Sequence, residues 1–192
     1  NRSIEGPVKD VAWAAGTLFA AIPDGAPAAA GKLVTVNRAT GEITPWAVVP
    51  GGINSTSPYS GLLFASPDAR RLFLVAGQGG DIQEWDVETR TLTNRYSLAS
   101  GVSCRDLAIG AGTPGRVVLS IVGSSGYDDD AIILDGGLQL LAQRGNQNVI
   151  ADPFLPETFY CFRPYELAEW KTGPAGVLGR RTLLSSLYMY AA

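Results

Sequence analysis

Apolar and polar positions alternate over short stretches of this chain, and the stretches recur in a fixed order. The clearest unit opens at Leu62-Leu63-Phe64-Ala65, turns at Ser66-Pro67-Asp68-Ala69 and resumes with Leu72-Phe73-Leu74-Val75-Ala76. After Gly77-Gln78-Gly79-Gly80, Asp81-Ile82-Gln83-Glu84-Trp85-Asp86 passes through Val87-Glu88-Thr89-Arg90 into Thr91-Leu92-Thr93-Asn94-Arg95-Tyr96. Short runs of period two, bounded by turn-forming residues, predict strands, so this unit reads as a four-stranded antiparallel meander. Its second strand is apolar throughout, as a strand covered on both faces must be, and its last alternates like an outer edge. Pro67 presets φ for the first turn, and the carboxylates of Asp68 and Asp86 can bond the backbone ahead of them. Gly79 and Gly80 are expected to supply positive φ between the middle strands.

The same order occurs before and after this unit. Val11-Ala12-Trp13, Thr17 to Ile22, Lys32 to Val36 and Ile43 to Val48 form an earlier copy, with Asn37-Arg38-Ala39-Thr40-Gly41 as its third turn. Asp106 to Ile109, Val117 to Ile121, Ala131 to Leu134 and Leu138 to Leu141 form a later one, turning at Thr113-Pro114-Gly115 and Asp135-Gly136-Gly137. A fourth runs through Val149-Ile150-Ala151, Thr158 to Cys161, Leu167 to Trp170, a turn at Lys171-Thr172-Gly173, and Val177 to Arg180. The third-turn anchors Asn37, Asp86 and Asp135 are spaced 49 residues apart. Four strands at a period of about 40–50 residues is the signature of β-propeller blades. The expected fold class is therefore all-β: about four propeller blades, at 8–50, 60–99, 104–144 and 147–184, in an incomplete ring. Residues 186–192 would begin a further blade, and Leu187-Tyr188-Met189-Tyr190 would need burial. Helix should be near nil, and Leu72, Leu74, Trp85, Val118 and Ile132 should be buried between blades.

Composition narrows the function. The 15 Lys and Arg against 18 Asp and Glu give a net charge of −3, so the basic footprint of a nucleic-acid binder is missing. No apolar run reaches the roughly 18 residues of a membrane helix, and the first residues lack a signal-peptide core, which fits either a cytosolic protein or a secreted one already processed. The chain has no histidine, which excludes Ser-His-Asp and Cys-His triads, imidazole zinc sites and histidine general bases. There is no P-loop or G-x-G-x-x-G; Gly77 to Gly80 reads as a hairpin turn. Two cysteines, Cys104 and Cys161, read either as half-buried thiols or as one disulfide.

Ser66-Pro67-Asp68, Asn37-Arg38-Ala39-Thr40-Gly41 and Asp86-Val87-Glu88-Thr89 resemble the turns of YVTN-type and WD-repeat-like bacterial propellers, whose blades carry S-P-D-G and D-x-x-T-G motifs. Arg105 to Ile109 with Asp130 to Gly137 resembles a divergent blade of bacterial extracellular propellers. The resemblance covers most of the chain and implies an extracellular or periplasmic protein, but its motifs specify turns, so no activity transfers with them. Such propellers usually have seven blades. Four here would be a fragment, a half-ring completed by another chain, or a closed four-bladed ring.

Propellers present function on the loops at one face. Here those are Ile22–Gly31, Gly51–Ser60, Gly77–Gly80, Ala99–Ser103 and Gly123–Asp130, and Tyr59, Arg105, Tyr127 and Asp128 are the side chains best able to hold a ligand. Asp128, Asp129 and Asp130, placed in the middle loop of the third blade, are weak candidates for Ca²⁺, without the order of an EF-hand. Asn54-Ser55-Thr56 fits a glycosylation acceptor only on a secretory route. The expected function is a non-catalytic binding or scaffold module without a cofactor, facing a protein or glycan partner, or a second copy that completes the propeller. The alternatives are a lactonase-like or oxidoreductase-associated propeller, where related lactonases hold a divalent metal with Glu, Asn and Asp, and a self-assembling surface protein.

Overall fold

The computed structural model describes residues 8–23, 31–112, 115–123, 129–136, 138–144, 148–163, 166–173 and 176–185. These hold sixteen strands and no helix. They form four separate four-stranded sheets, each antiparallel and each built of strands consecutive in the chain. The first sheet comprises β1 (Asp10–Ala14), β2 (Thr17–Ile22), β3 (Lys32–Val36) and β4 (Ile43–Val48). The second comprises β5 (Leu63–Ala65), β6 (Arg71–Ala76), β7 (Asp81–Asp86) and β8 (Thr91–Ser97). The third has β9 (Ser103–Ile109), β10 (Arg116–Val122), β11 (Asp129–Asp135) and β12 (Leu138–Arg144). The fourth has β13 (Asn148–Ala151), β14 (Thr158–Arg163), β15 (Glu166–Gly173) and β16 (Gly176–Ser185). The chain divides into two compact units, 1–104 and 105–192, so that each holds a pair of sheets apart from the first residues of β9.

Turn chemistry closes the meanders as expected. The Asn37 Oδ1 accepts from the amides of Ala39 and Thr40, and the Asp86 carboxylate accepts from the amide and hydroxyl of Thr89. Asp68 accepts from the Ser66 hydroxyl and the Arg70 amide across the first turn of the second sheet. Three local readings need correction. Gly77 (φ +61°) and Gly79 (φ +102°), not Gly80, take the left-handed backbone between β6 and β7. Lys171-Thr172-Gly173 continues β15 instead of turning, because Lys171 pairs with Gly179 and Thr172 with Val177. Asp129 and Asp130 are ladder positions of β11, paired with Val122 and Ile121, and do not lie in a loop.

Each unit has its own core. In the first, Ala12, Ala14, Phe19, Ala21 and Leu33 of the first sheet cluster with Leu63, Leu72, Leu74, Ala76 and Trp85 of the second. Trp46 joins them edge-on to Phe19, with ring centroids 5.2 Å apart. In the second, Ala108, Val118, Ala131 and Ile133 cluster with Val149, Phe159, Cys161, Ala168 and Trp170. Leu72, Leu74, Trp85, Val118 and Ile132 are all buried, as the apolar strands implied. Cys104 and Cys161 are fully buried strand residues outside any disulfide, not half-buried ones.

The pairing of sheets within a unit has a sequence signature. Lys9-Asp10-Val11-Ala12-Trp13-Ala14-Ala15-Gly16-Thr17 recurs 96 residues later as Arg105-Asp106-Leu107-Ala108-Ile109-Gly110-Ala111-Gly112-Thr113. In the first copy one Asp10 oxygen accepts from its neighbour Val11, and the other from the amide of Leu63 in the next sheet, 2.9 Å away. In the second, Asp106 accepts from Leu107 and from Val149 of the next sheet. One carboxylate thus satisfies two backbone donors that would otherwise be unpaired, one in each sheet. Lys9 adds a bond from its ammonium to the Ser57 carbonyl at 2.8 Å.

Candidate functional site

The loop end of the first unit carries the expected candidate Tyr59. It sits in the connection from β4 to β5, beside the β6–β7 turn. That connection is organised by its own side chains. Asn54 Oδ1 accepts from the amide and hydroxyl of Thr56, while its Nδ2 donates to Gln78 Oε1. The Ser57 hydroxyl donates to the Gln78 carbonyl at 3.0 Å and accepts from the Tyr59 amide. The Asn54 amide donates to the Ser60 hydroxyl, which is buried. Gly79 is what allows the close approach: a Cβ there would lie 2.8 Å from Tyr59 Cβ and 3.3 Å from Ser103 Cβ. Asn54, Ser57, Tyr59 and Gln78 therefore form one cross-braced polar surface, and Asn54 acts within it as a loop brace.

The remaining candidates are placed differently. Arg105 lies within β9, in the second unit, as a ladder residue and not a loop residue. Tyr127 and Asp128 lie outside the described residues, as do the side chains of Asp129 and Asp130. Among the described residues no three His, Cys, Asp or Glu side chains converge on a point where a metal could sit.

A second surface escaped the sequence reading. A shallow groove of about 540 Å³ runs along the first sheet, lined by Trp13, Leu18, Thr35, Val36, Arg38 and Glu42 among others. Trp13 is 49% exposed, and the Arg38 guanidinium stacks over its ring at 5.3 Å. Val11 at 50% and Val48 at 62% extend the open apolar surface on the same sheet. Alternation along β1 explains it: Ala12 and Ala14 turn into the core, so Val11 and Trp13 point the other way. The signal was present, since a strand apolar on both faces implies two covers.

Among the described residues of the second unit the most buried charge is a cation. Arg116, 4% exposed, pairs with Asp135 at 2.7 Å and with Glu157, whose carboxylate also accepts from the Thr172 hydroxyl. Burial works against the Arg116 charge, but bonds to Asp135 and Glu157 outweigh it and raise the pKa. Asp106 shifts the other way from an ordinary ion-paired acid: burial raises its pKa more than its two backbone donors lower it. Apart from the buried Arg116 Nε, which has no partner among the described residues, these groups are bonded to protein, so the geometry fastens strands together.

No family model matches this chain, and no curated relative does. Solved structures do. The WD40 domain of Neurospora crassa Pan2 superposes with a TM-score of 0.65 over 96% of this chain and 56% of its own length, at 12% identity. The β-propeller domain of Swd1 (Cps50) from Myceliophteria thermophila gives 0.60 over 82% and 48%, at 14% identity. The four sheets are β-propeller blades. BamB from Moraxella catarrhalis gives 0.57 over 96% and 56%, at 16% identity. The chain spans about half the length of these three solved chains, and at such identities the likeness concerns the fold alone.

Proposed function

We propose that this chain is a non-catalytic binding or scaffold module of a β-propeller, and that it offers a protein or glycan partner the loop end around Tyr59. One observation carries the reading: Asn54, Ser57 and Gln78 are already bonded to one another and to backbone. Tyr59 therefore stands on a prearranged base, and binding there loses little conformational entropy. A tyrosine flanked by fixed amides and hydroxyls suits a polar partner surface, as it does in binding loops generally. The Pan2 and Swd1 propellers support a protein-interaction module at the level of architecture. The YVTN-like turns and an extracellular or periplasmic location belong to the same proposal and rest on the sequence resemblance.

The test is a binding screen of the purified chain against displayed proteins and a glycan array. Any ligand found should be lost with Tyr59→Ala and Gln78→Ala. It should persist with Glu88→Ala, which lies in the β7–β8 turn at the opposite end of the same sheet. Equal loss in all three variants would remove the loop end from the function.

A further inference from the structure

The turn between β13 and β14 carries an apolar tip that the fold does not use. Pro153, Phe154, Leu155 and Pro156 are all exposed, and Phe154, at 87%, is the most exposed large apolar side chain among the described residues. The matching turn of the second sheet shows that the position does not call for such residues. Ala65 pairs with Leu72 and Ala151 with Phe159, so the two turns are 66–71 and 152–158, the latter one residue longer. In the second sheet the exposed residues of this turn are Pro67, Asp68 and Arg70, two of them charged.

Phe154 is not exposed for want of a neighbouring sheet. Ala15 and Gly16, at the first turn of the first sheet, are exposed although the second sheet packs on the first. Ala111 and Gly112 of the third sheet are exposed although the fourth packs on the third. A tip at this turn therefore stands clear of the sheet that follows it. The sheet before it supports the turn from behind: a Cβ on Gly112 would lie 2.6 Å from Pro156 Cβ and 2.8 Å from Glu157 Oε1.

The tip is also held in one shape. Asp152 Oδ1 accepts from the amides of Phe154 and Leu155 at 2.8 and 2.9 Å, and the other carboxylate oxygen accepts from the Tyr160 hydroxyl. The Leu155 carbonyl accepts from the Thr158 amide. Glu157, at a left-handed φ of +62°, is fastened through its carboxylate to Arg116 and through its carbonyl to the Thr172 amide. Proline has no N–H, so residues 153–156 present no free backbone donor. Such a surface suits an apolar cavity and gives a glycan no amide to bond.

We propose that Phe154, flanked by Leu155, anchors an interaction surface for a protein partner that offers an apolar pocket of its own. A few side chains buried in such pockets carry most of an interface's energy, and a braced one loses little entropy on binding. The other apolar medium, a lipid surface, fits less well. Lys171, opposite Thr158, is the basic ladder residue beside the turn, whereas stable membrane anchoring takes a polybasic patch or a second anchor. The tip belongs to the first turn of its sheet and Tyr59 lies beside a second turn, so the proposal is independent of the loop-end binding function.

The test selects, on the purified chain, from a library displaying the proteins of its own organism, with Phe154→Ser as the counter-selecting bait. Proteins that prefer the wild type should be recovered. Their dissociation constants should rise about thirtyfold or more with Phe154→Ser, less with Phe154→Leu, and not with Tyr59→Ala. Phe154→Ser should leave the melting temperature unchanged, since the ring stands in solvent, so the lost affinity is not lost fold. In a second arm the wild type should fail to float with vesicles of phosphatidylcholine and phosphatidylserine. A selection that returns no protein able to tell the two baits apart overturns the proposal. So does affinity that Tyr59→Ala removes equally, which would return the binding to the loop end. Flotation abolished by Phe154→Ser would make the tip a membrane contact, and a lowered melting temperature would mean that the ring is covered within the chain; either also overturns it.

Discussion

The two compact units repeat one plan and differ in how they settle their buried polar groups. At equivalent ladder positions, Trp85 in β7 pairs with Leu72 and Trp170 in β15 pairs with Phe159. Two residues earlier, β7 has Gln83, whose Oε1 accepts from the Trp85 indole and whose Nε2 donates to Pro50 and Asp81. β15 has Ala168 there, and the fully buried Trp170 indole nitrogen has no partner among the described residues. The charge is arranged differently too. In the first unit Arg71 is about a third exposed and bonds one buried acid, Glu84; in the second Arg116 is buried and holds two acids. A repeated backbone frame therefore leaves each unit free to satisfy its interior in its own way, and substitutions should separate the two.

The largest difference should come from the buried charge. Glu157→Ala leaves the Arg116 guanidinium with one acid in place of two and takes the carboxylate from the Thr172 hydroxyl, which keeps only the Glu157 carbonyl as acceptor. Leaving a buried charge uncompensated costs about 3–5 kcal/mol; because Asp135 still pairs with Arg116 and Glu157 is partly exposed, the loss should lie at the lower end of that range and show as a lower urea midpoint. The more exposed Arg180–Glu166 pair is the control, and Arg180→Ala should cost no more than about 1 kcal/mol. Similar losses in the two variants would show that burial does not set the cost. Core truncation should treat the units alike: Leu74→Ala is expected to cost about 2–5 kcal/mol and Phe159→Ala about 3–5.

The clasp comes next. Asparagine in place of Asp10 or Asp106 offers one acceptor where two backbone donors converge, so one amide is left unmet. Each of Asp10→Asn and Asp106→Asn should cost about 1–3 kcal/mol, with hydrogen exchange accelerated at Leu63 in the first and Val149 in the second. Exchange that rises in neither unit would mean the carboxylates are not what holds the paired sheets. The tryptophans give a smaller contrast. Trp85→Phe strands Gln83 Oε1, whereas Trp170→Phe removes a donor that has no partner, so the second should be milder by about 1 kcal/mol.

How much of this was legible in the sequence follows the range of each interaction. Asn37, Asp68 and Asp86 bond backbone two or three residues ahead, and their turns were read correctly from residue type alone. Burial of Leu72 and Val118 followed from strands that are apolar on both sides. The clasp was not read, because Asp10 reaches an amide 53 residues away. Its signal, a nine-residue block repeated at 96, is hidden from a search for the single-blade period near 49. Asp129 and Asp130 were placed in the middle loop of the third blade, yet both belong to β11. Of the described candidates, Tyr59 lies on a loop and Arg105 in a strand, and the braces that fix Tyr59, Gln78 and Ser57, come from chemistry that a strand pattern does not encode.

The smallest expected effect is on pH, and within the second unit it has two opposite signs. Burial holds the Asp106 pKa above its ordinary value near 3.9. The folded state therefore binds that proton more tightly than the unfolded chain. The stability this contributes is fully present below the unfolded value and is lost as pH rises through the folded one. Asp152 behaves inversely. The Phe154 amide, the Tyr160 hydroxyl and the Leu155 amide lower its pKa, so its contribution is present above the unfolded value and lost as pH falls through the folded one. Urea midpoints measured between about pH 3 and about pH 7 should show this as a change of slope. Asp106→Asn should steepen the loss of stability toward acid relative to wild type, because the proton-favouring term is gone. Asp152→Asn should flatten it. A shift of the same sign in both variants would mean that burial does not outweigh the two backbone donors at Asp106, and that its carboxylate is held like the one at Asp152.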